Sequence, residues 1–226
     1  MDFETLIQFD KQLLLLLNGS DSLFLDGLVM TLTTAATWIP LYVALFYVVL
    51  RNNESVVRIL LILAAAGLCV LLAGSVDDML VKPLVARWRP GHDPEIGLLV
   101  DTVNGYRGGK YGFFSAHASN TFSIAVFFSL LLRDRKLTVA LVLWSLVNCW
   151  TRMYLGVHYP GDITVGLLWG ALVGWSVYRL FVWCSAWSVE RGARCEVRGA
   201  DSYIVILVLL LTLIYAMIRS CFRMDM

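Results

Sequence analysis

The stretch VRILLILAAAGLCVLLAGSVDDML, residues 57–80, is apolar over almost its whole length and is long enough to cross a membrane as a helix. A hydrocarbon core of about 30 Å requires roughly 20 helical residues. Comparable apolar runs recur along the chain and predict six transmembrane helices, at residues 28–50, 57–80, 113–132, 137–155, 163–183 and 203–218. We therefore predict an all-α integral membrane protein built as a six-helix transmembrane bundle.

The composition of the 226-residue chain agrees with this fold class. Hydrophobic residues make up 59% of the chain and charged residues 15%, whereas roughly a quarter of an ordinary soluble domain is charged. A formal net charge of +1 and many aromatic residues exclude a disordered, collagen-like or nucleic-acid-coating protein, so no nucleic-acid partner is predicted. Six spans and their loops leave no room for a second domain, and residues 1–226 are predicted to form one domain.

The N-terminal segment is predicted to form a helix that lies along the membrane surface or leads into the first span. Its leucine run, residues 13–17, is too short to cross the bilayer, and its first residues lack the basic start and cleavage site of a signal peptide. We expect Asp10 and Lys11 to lie outside the apolar face of this interfacial helix.

The connections between spans predict the orientation of the bundle. The segment 82–112 is long, polar and rich in Gly, Pro and Arg, and alternating helix directions put it on the same side as residues 156–162. Short loops on the other side carry most of the remaining basic residues: Arg51, Arg58, Arg133, Arg135, Lys136, Arg191, Arg194 and Arg198. Because cytoplasmic loops are enriched in Lys and Arg, we predict that residues 82–112 lie outside the cytoplasm.

Ionisable residues at the ends of apolar helices are costly in a bilayer and therefore indicate a function. On the predicted outer side they form three clusters: Lys82 with Arg87 and Arg89, Ser115 with His117, and Arg152 with His158 and Asp162. Cations, two imidazoles, a hydroxyl and a carboxylate suit phosphoryl transfer without a metal ion or other cofactor. The cations can neutralise phosphate oxygens, and the start of the third span can donate backbone N–H groups to phosphate.

The two histidines of these clusters have complementary chemistry. One can attack phosphorus while the other protonates the leaving oxygen. Asp162 follows His158 by four residues, so its carboxylate can accept the ring N–H and fix the tautomer, as in a catalytic triad.

The three clusters resemble the motif blocks of the type 2 phosphatidic acid phosphatase (PAP2) superfamily of lipid phosphatases, which read K-x6-R-P, P-S-G-H and S-R-x5-H-x3-D. The first block is intact here as KPLVARWRP (82–90). The second reads FSAH (114–117) and the third TRMYLGVHYPGD (151–162). Phe114, Ala116 and Thr151 replace the Pro, Gly and Ser of the pattern, but the spacing of the polar residues is kept.

The resemblance implies a role for each matching residue. His158 would be the nucleophile that forms a phosphohistidine, His117 the acid for the leaving group, and Asp162 the orienting carboxylate. The phosphate-binding residues would be Lys82, Arg89, Ser115 and Arg152. The resemblance also implies a six-helix bundle in the bacterial inner membrane, with its site facing the periplasm.

The leading functional hypothesis is a membrane lipid phosphatase that hydrolyses a phosphomonoester or diphosphate on a membrane lipid. Undecaprenyl diphosphate and a lipid A phosphate are the leading substrates, and the unusual segment FFSAHASN (113–120) favours lipid A among the less common head groups. Phosphatidylglycerophosphate is an alternative. A lipid phosphotransferase would use the same phosphohistidine, whereas a channel, transporter subunit or inert bundle would tolerate loss of Asp162. The oligomeric state is not predicted.

Other polar and small residues receive structural interpretations. Asp78 is predicted to pair with Lys82 four residues later, and Asp77 and Asp78 lack the neighbours that a metal site needs. His92 is predicted to be a loop residue. Predicted to extend toward lipid head groups are Arg87, Arg107 and Lys110. Predicted to form an interfacial aromatic belt are Trp88, Tyr106, Tyr111, Tyr154 and Tyr159. Predicted to serve packing are Cys69, Cys149, Cys184, Cys195 and Cys221, and the glycines at 166, 170 and 174.

Overall fold

The computed structural model describes residues 2–188 and 199–223, and helices account for most of them. In chain order these helices are α1 (Phe3–Leu17), α2 (Leu23–Leu32), α3 (Ile39–Arg51), α4 (Val56–Val76), α5 (Lys82–Val85), α6 (Ala116–Leu132), α7 (Arg135–Tyr154), α8 (Pro160–Ser188) and α9 (Gly199–Arg223). The described residues contain no β-sheet, and the predicted all-α class is confirmed. Cys195 and the predicted loop arginines Arg191, Arg194 and Arg198 lie outside the described residues.

Three helical segments among the described residues are long and apolar enough to cross a membrane. These are Val56–Val85, Pro160–Ala186 and Asp201–Phe222. A fourth candidate is the pair Leu23–Leu32 and Ala35–Arg51, which is bent by 69°. By length and composition the structure therefore supports three to four spans, fewer than the six that the sequence predicts.

The predicted unbroken first span, residues 28–50, is wrong, because the helix breaks between α2 and α3. Thr37 Oγ1 donates to the carbonyl of Thr31 (2.6 Å), and Trp38 Nε1 donates to that of Leu32 (2.8 Å). These side chains satisfy carbonyls that the next helical turn would otherwise use. Pro40 then occupies the first turn of α3, where a missing N–H is tolerated.

The glycines at 166, 170 and 174 bring α8 against α6. A Cβ atom on Gly166 would lie 2.8 Å from a carbonyl oxygen of α6, and one on Gly174 would lie 2.5 Å from another. The carbonyls that the three glycines meet are also spaced four residues apart, on Ser115, Ser119 and Ser123. The predicted close packing is confirmed, and it fixes the start of α6 beside the start of α8.

The main apolar core lies between the helices and away from the long outer segment. It includes Leu41, Phe127 and Leu137, each with no exposed surface, and Cys69 lies within it. Cys149 is also buried, whereas Cys184 is half-buried and Cys221 is exposed.

Helix α1 packs against α7 and α8. Its polar residues Asp10 and Lys11, which we expected to lie outside the apolar face of the helix, both make polar contacts within the protein. Lys11 is only 8% exposed and pairs with Asp93, and Asp10 reaches the start of α8. The position of α1 at the membrane surface stays a prediction.

Candidate active site

His158 lies in the turn that joins α7 to α8. Gly156 adopts φ +61° there, and a Cβ atom on it would lie 2.3 Å from a methyl carbon of Val100, so a residue with a side chain would be strained and would clash. Val157 N donates to the carbonyl of Arg152 (3.1 Å), which folds the turn back over the end of α7. The side chain of His158 is consequently 2% exposed.

Asp162 occupies the first turn of α8 and is fully buried. Its Oδ2 accepts a hydrogen bond from Tyr159 N (3.0 Å), as in a capping box, where an acidic side chain returns to the N–H that precedes the helix. The same oxygen lies 3.6 Å from Nδ1 of His158. The predicted His–Asp pair is therefore brought together, slightly beyond hydrogen-bond distance.

Ser115 and His117 lie at the start of α6. Ser115 caps this helix, since its Oγ accepts a hydrogen bond from Ala118 N (3.4 Å). Ser115 N donates to the carbonyl of Asp162 (3.2 Å), so the first turns of α6 and α8 are bonded to each other. His117 is half-buried and close enough to His158 for their charges to interact.

Arg89 is positioned by the outer segment folding back on itself. Its backbone N donates to the carbonyl of Lys110 (3.1 Å), and its Nε donates to that of Tyr111 (3.0 Å). Gly108 and Gly112 leave space for its side chain, because Cβ atoms on them would lie 2.5 and 2.8 Å from it. A Cβ on Gly112 would also lie 3.5 Å from Nδ1 of His158, which places Arg89 and His158 on two sides of one glycine.

Arg152 is 3% exposed near the end of α7. Its Nη1 donates to Oγ1 of Thr33 (2.5 Å), and Thr33 is available because the first helix breaks at this point. Its Nε has no hydrogen-bond partner among the described residues. A buried guanidinium with an unused donor is suited to an anion.

Lys82 lies on α5, directly after the π-helical turn Asp77–Val81 that continues α4. Its Nζ is 2.7 Å from Oδ2 of Asp77 and 2.5 Å from Oδ1 of Asp78. The predicted Asp78–Lys82 pair is confirmed, and the fully buried Asp77 is a second partner that spacing did not indicate.

The surroundings of His158 favour its neutral form. Burial lowers the pKa of this imidazole well below its ordinary value of 6.5, and the positive charges of Arg89, Arg152 and Lys82 lower it further. Burial also lowers the pKa of Arg89, as does the nearby charge of Arg152. Several cations thus surround one neutral imidazole, an arrangement that a bound dianion would relieve.

The structure brings all seven predicted site residues to one end of the bundle. The PAP2 superfamily pattern matches residues 55–186, which include all three motif blocks. The chain belongs to the PAP2 superfamily. This PAP2 protein is a phosphatase, a phosphoric monoester hydrolase, and its relatives identify it as a lipid phosphatase.

Three relatives of this PAP2 phosphatase have informative names. A lipid A 4′-phosphatase of Bacteroides thetaiotaomicron is 41% identical over 77% of the chain and 78% of its own length. A lipid A 4′-phosphatase of Porphyromonas gingivalis is 35% identical over 88% of the chain and 84% of its own length. A decaprenylphosphoryl-5-phosphoribose phosphatase of Mycobacterium tuberculosis is 41% identical over 42% of the chain and 49% of its own length. No solved structure matches the chain.

Arg87 of the PAP2 phosphatase was predicted to extend toward lipid head groups, and the structure places it elsewhere. Its Nη1 donates to Oδ1 of Asp162 (2.7 Å), and its Nη2 donates to Oδ2 of Asp10 (2.7 Å). Arg107 by contrast is exposed, and Lys110 lies over the ring of Trp88, 4.6 Å from its centroid. The position of Arg87 within the first motif block was the only sequence feature that pointed to these contacts.

Two of the residues predicted for an aromatic belt are instead buried. Tyr159 is 1% exposed and its OH donates to Asp93, while Tyr154 is 3% exposed and its OH donates to Asp26. These hydroxyls find partners inside the protein, so a position at the membrane interface is not needed to satisfy them. His92 lies in a turn of the outer segment, as predicted.

Proposed function

We propose that this PAP2 phosphatase removes a phosphate from lipid A through a phosphohistidine, without a metal ion. The observation that carries the mechanism is the buried neutral His158 beside Asp162 and among three cations. The proposal for lipid A rests on the two relatives of that name, which align with most of the chain.

The proposed membrane setting is a six-segment bundle in the bacterial inner membrane, with the site facing the periplasm. The segments would be the bent α2–α3 pair, α4 with α5, α6, α7, α8 and α9. The basic loop residues Arg51, Arg133 and Lys136 support the orientation, since they lie at the end of the bundle away from the site.

In the proposed mechanism the phosphate binds among positive charges and helix N–H groups. Lys82, Arg89 and Arg152 neutralise its oxygens, and the unused Nε of Arg152 gains an acceptor. The Ser115 hydroxyl donates a hydrogen bond to the phosphate. Its oxygen accepts a hydrogen bond from the start of α6, so its own hydrogen stays free to donate. The first turn of α6 adds N–H donors and the positive end of the helix dipole.

The chemical step then uses both histidines. Nε2 of His158 attacks phosphorus, a P–N bond forms, and the P–O bond to the lipid breaks. His117 gives a proton to the leaving oxygen, which becomes the lipid hydroxyl. Asp162 keeps the His158 proton on Nδ1 and stabilises the positive charge that the ring gains in the phosphohistidine.

Hydrolysis of the intermediate reverses the proton movements. A water molecule gives a proton to His117 as its oxygen attacks phosphorus, and the P–N bond breaks to release inorganic phosphate and neutral His158. Both histidines return to their starting protonation states, so the cycle consumes one water for each phosphate.

The decisive test of this mechanism is the pair His158→Ala and His92→Ala in purified protein with lipid A in vesicles. His158→Ala should lower phosphate release by roughly 10⁴-fold or more with the fold intact, because it removes the nucleophile. His92→Ala is the matched control and should keep the wild-type rate, since His92 lies in the outer turn. Undiminished turnover in His158→Ala would exclude the phosphohistidine.

Two further observations bear on the same mechanism. Rapid quenching with labelled lipid should trap an acid-labile phosphoenzyme in the wild type and none in His158→Ala. Activity should persist in chelator and be inhibited by vanadate, and a requirement for Mg²⁺ would contradict the metal-free route. If the label passes to a second lipid's hydroxyl and not to free phosphate, the enzyme is a phosphotransferase.

The substrate is tested with lipid A, undecaprenyl diphosphate and phosphatidylglycerophosphate in matched vesicles. We expect the highest kcat/KM with lipid A, and mass spectrometry should show loss of the 4′-phosphate with the 1-phosphate retained. Preference for undecaprenyl diphosphate would overturn the lipid A assignment and favour the polyprenyl substrate that the mycobacterial relative's name suggests.

A further inference from the structure

Asp10, which lies on α1 and outside all three motif blocks, contacts two parts of the site at once. Its Oδ1 accepts a hydrogen bond from Gly161 N (2.8 Å) and its Oδ2 accepts one from Arg87 Nη2 (2.7 Å). A Cβ atom on Gly161 would lie 2.7 Å from this carboxylate, so glycine is what allows the approach. A residue of another helix thus caps the first turn of α8, where Asp162 lies.

Arg87 continues this connection to Asp162. The two ends of its guanidinium bind Asp10 and Asp162, each at 2.7 Å, while its plane lies over the ring of Tyr159, 4.1 Å from the centroid. The planar fork of arginine suits such a fixed bridge between two carboxylates, whereas a lysine ammonium would offer only a point charge.

Lys11, the residue after Asp10, helps to hold the aromatic ring against which Arg87 packs. Lys11 Nζ lies 3.2 Å from Oδ2 of Asp93, and the same oxygen accepts a hydrogen bond from the Tyr159 hydroxyl (2.7 Å). The ring of Tyr159 is the one that the Arg87 guanidinium stacks on. Two consecutive residues of α1 therefore hold both the guanidinium and the ring on which it rests.

These contacts determine what Asp162 can offer to His158. With Oδ1 bound to Arg87 and Oδ2 bound to Tyr159 N, the carboxylate is fixed in rotation and lies against a cation that it shares with Asp10. A fully buried carboxylate without a cation tends to take up a proton. A protonated or rotated Asp162 would not hold the ring proton of His158 on Nδ1.

We infer that Asp10 and Arg87 are positioning residues of the phosphatase, and that α1 serves catalysis by holding Arg87 in place and, through it, keeping Asp162 directed at His158. This inference rests on the proposed phosphohistidine mechanism. Neither residue needs to touch the phosphate, because both act through Asp162.

The primary experiment compares Asp10→Asn with Glu4→Gln, the same change at an exposed position of the same helix. Asp10→Asn should lower kcat by about 10- to 100-fold, as loss of an outer partner of a catalytic group commonly does. Its KM should stay within about threefold of wild type, because phosphate binding is untouched. Glu4→Gln should match the wild type. Wild-type kcat in folded Asp10→Asn would overturn the inference.

A second arm uses Arg87→Lys and Arg87→Gln, with exposed Arg107→Lys as the control. Lysine should restore part of the activity that glutamine loses, since it returns the charge but cannot bridge both carboxylates. The double variant Asp10→Asn/Arg87→Gln should be no slower than Arg87→Gln alone, because the two act through one contact. Additive losses would contradict a single route through Asp162.

A spectroscopic measurement separates positioning from general stability. The chain contains only 3 histidines, so ring ¹⁵N shifts of His158 can be followed directly. Wild-type protein should carry the proton on Nδ1, and Asp10→Asn should move the balance toward Nε2. An unchanged tautomer in a slow variant would overturn the inference.

The outcomes also distinguish this inference from the proposed function. Full activity of His158→Ala removes the mechanism itself, whereas an inactive His158→Ala beside a fully active Asp10→Asn removes only the role of α1. If Asp10→Asn and Arg87→Lys both fail to fold while Glu4→Gln and Arg107→Lys fold normally, the contacts support the fold and the inference is overturned.

Discussion

Two cations near the site are each held between two carboxylates, but they are held in different ways. Lys82 lies between Asp77 (2.7 Å) and Asp78 (2.5 Å), both on the helical turn before it. Arg87 lies between Asp10 and Asp162, which come from helices α1 and α8 (2.7 Å each). The partners of Lys82 are close to it in sequence, and its flexible side chain can move to a ligand. Arg87 instead joins helices that are far apart in the chain.

This difference suggests that the two cations have different functions. A point charge on a mobile stem suits a group that leaves its carboxylates when phosphate arrives. A planar fork fixed at both ends suits a group that stays in place and orients its neighbour. Variants of the two should therefore fail in different ways.

Among variants of these two cations and their carboxylate partners, the largest expected effect is that of Lys82→Met on phosphate binding. Removing this cation should lower kcat/KM by about 10²-fold, as loss of a charged donor at a phosphoryl group typically does. Inhibition by vanadate should weaken in parallel, whereas in Arg87→Gln turnover should fall with vanadate affinity nearly unchanged. Inhibition measurements on both proteins check this, and equal weakening would remove the distinction between the cations.

A smaller effect in the opposite direction is expected for Asp77→Asn. In the proposed mechanism the buried carboxylate competes with phosphate for Lys82, and the amide makes the site more positive. Vanadate and inorganic phosphate should then bind about three- to tenfold more tightly. Inhibition constants measured at one ionic strength test this, and weaker binding would show that Asp77 instead presents Lys82 to the phosphate.

The charge of Arg89 should be visible in the titration of His158. Because the pKa of this imidazole is lowered by burial and then by Arg89, the wild-type ring should stay neutral as the pH falls through 6.5. Arg89→Gln removes one of the positive charges, so the pKa should rise and the ring should take up its proton at a higher pH. NMR titration measures both proteins, with Arg107→Gln as the control. A shift toward lower pH would contradict the charge argument.

The smallest effect is expected for Asp78→Asn. It pairs with the same Lys82 as Asp77 does, but the Asp78 side chain is 62% exposed. Exposed ion pairs are screened by water and contribute little. Phosphate affinity and kcat should change by less than about twofold. An effect as large as that of Asp77→Asn would show that burial does not separate the two carboxylates.

Much of the arrangement of the candidate site was predictable because its signals are local in sequence. Within each motif block the spacing is short, and alternating helix directions bring the blocks to one end of the bundle. The Asp78–Lys82 pair and the glycine series follow from helical periodicity in the same way.

The remaining features depend on contacts between segments far apart in the chain. Arg87 and Asp10 are separated by 77 residues, and no periodicity links them. The break of the first span likewise depends on side chains of Thr37 and Trp38 bonding to backbone carbonyls, in a run whose hydropathy alone favours one continuous helix. Sequence patterns report which face of a helix is buried, but not which side chain on another segment it meets.

The glycine contacts between α8 and α6 have a consequence for the geometry of the proposed proton transfer. Sliding or rotating either helix by one residue would drive a side chain into a carbonyl, so the two helices behave as one rigid body. His117 lies on the first turn of α6 and Asp162 on the first turn of α8. In the proposed mechanism the separation between the proton donor and the carboxylate is therefore set by contacts that begin beside the site, where Gly166 meets Ser115, and continue along both helices to Gly174 and Ser123.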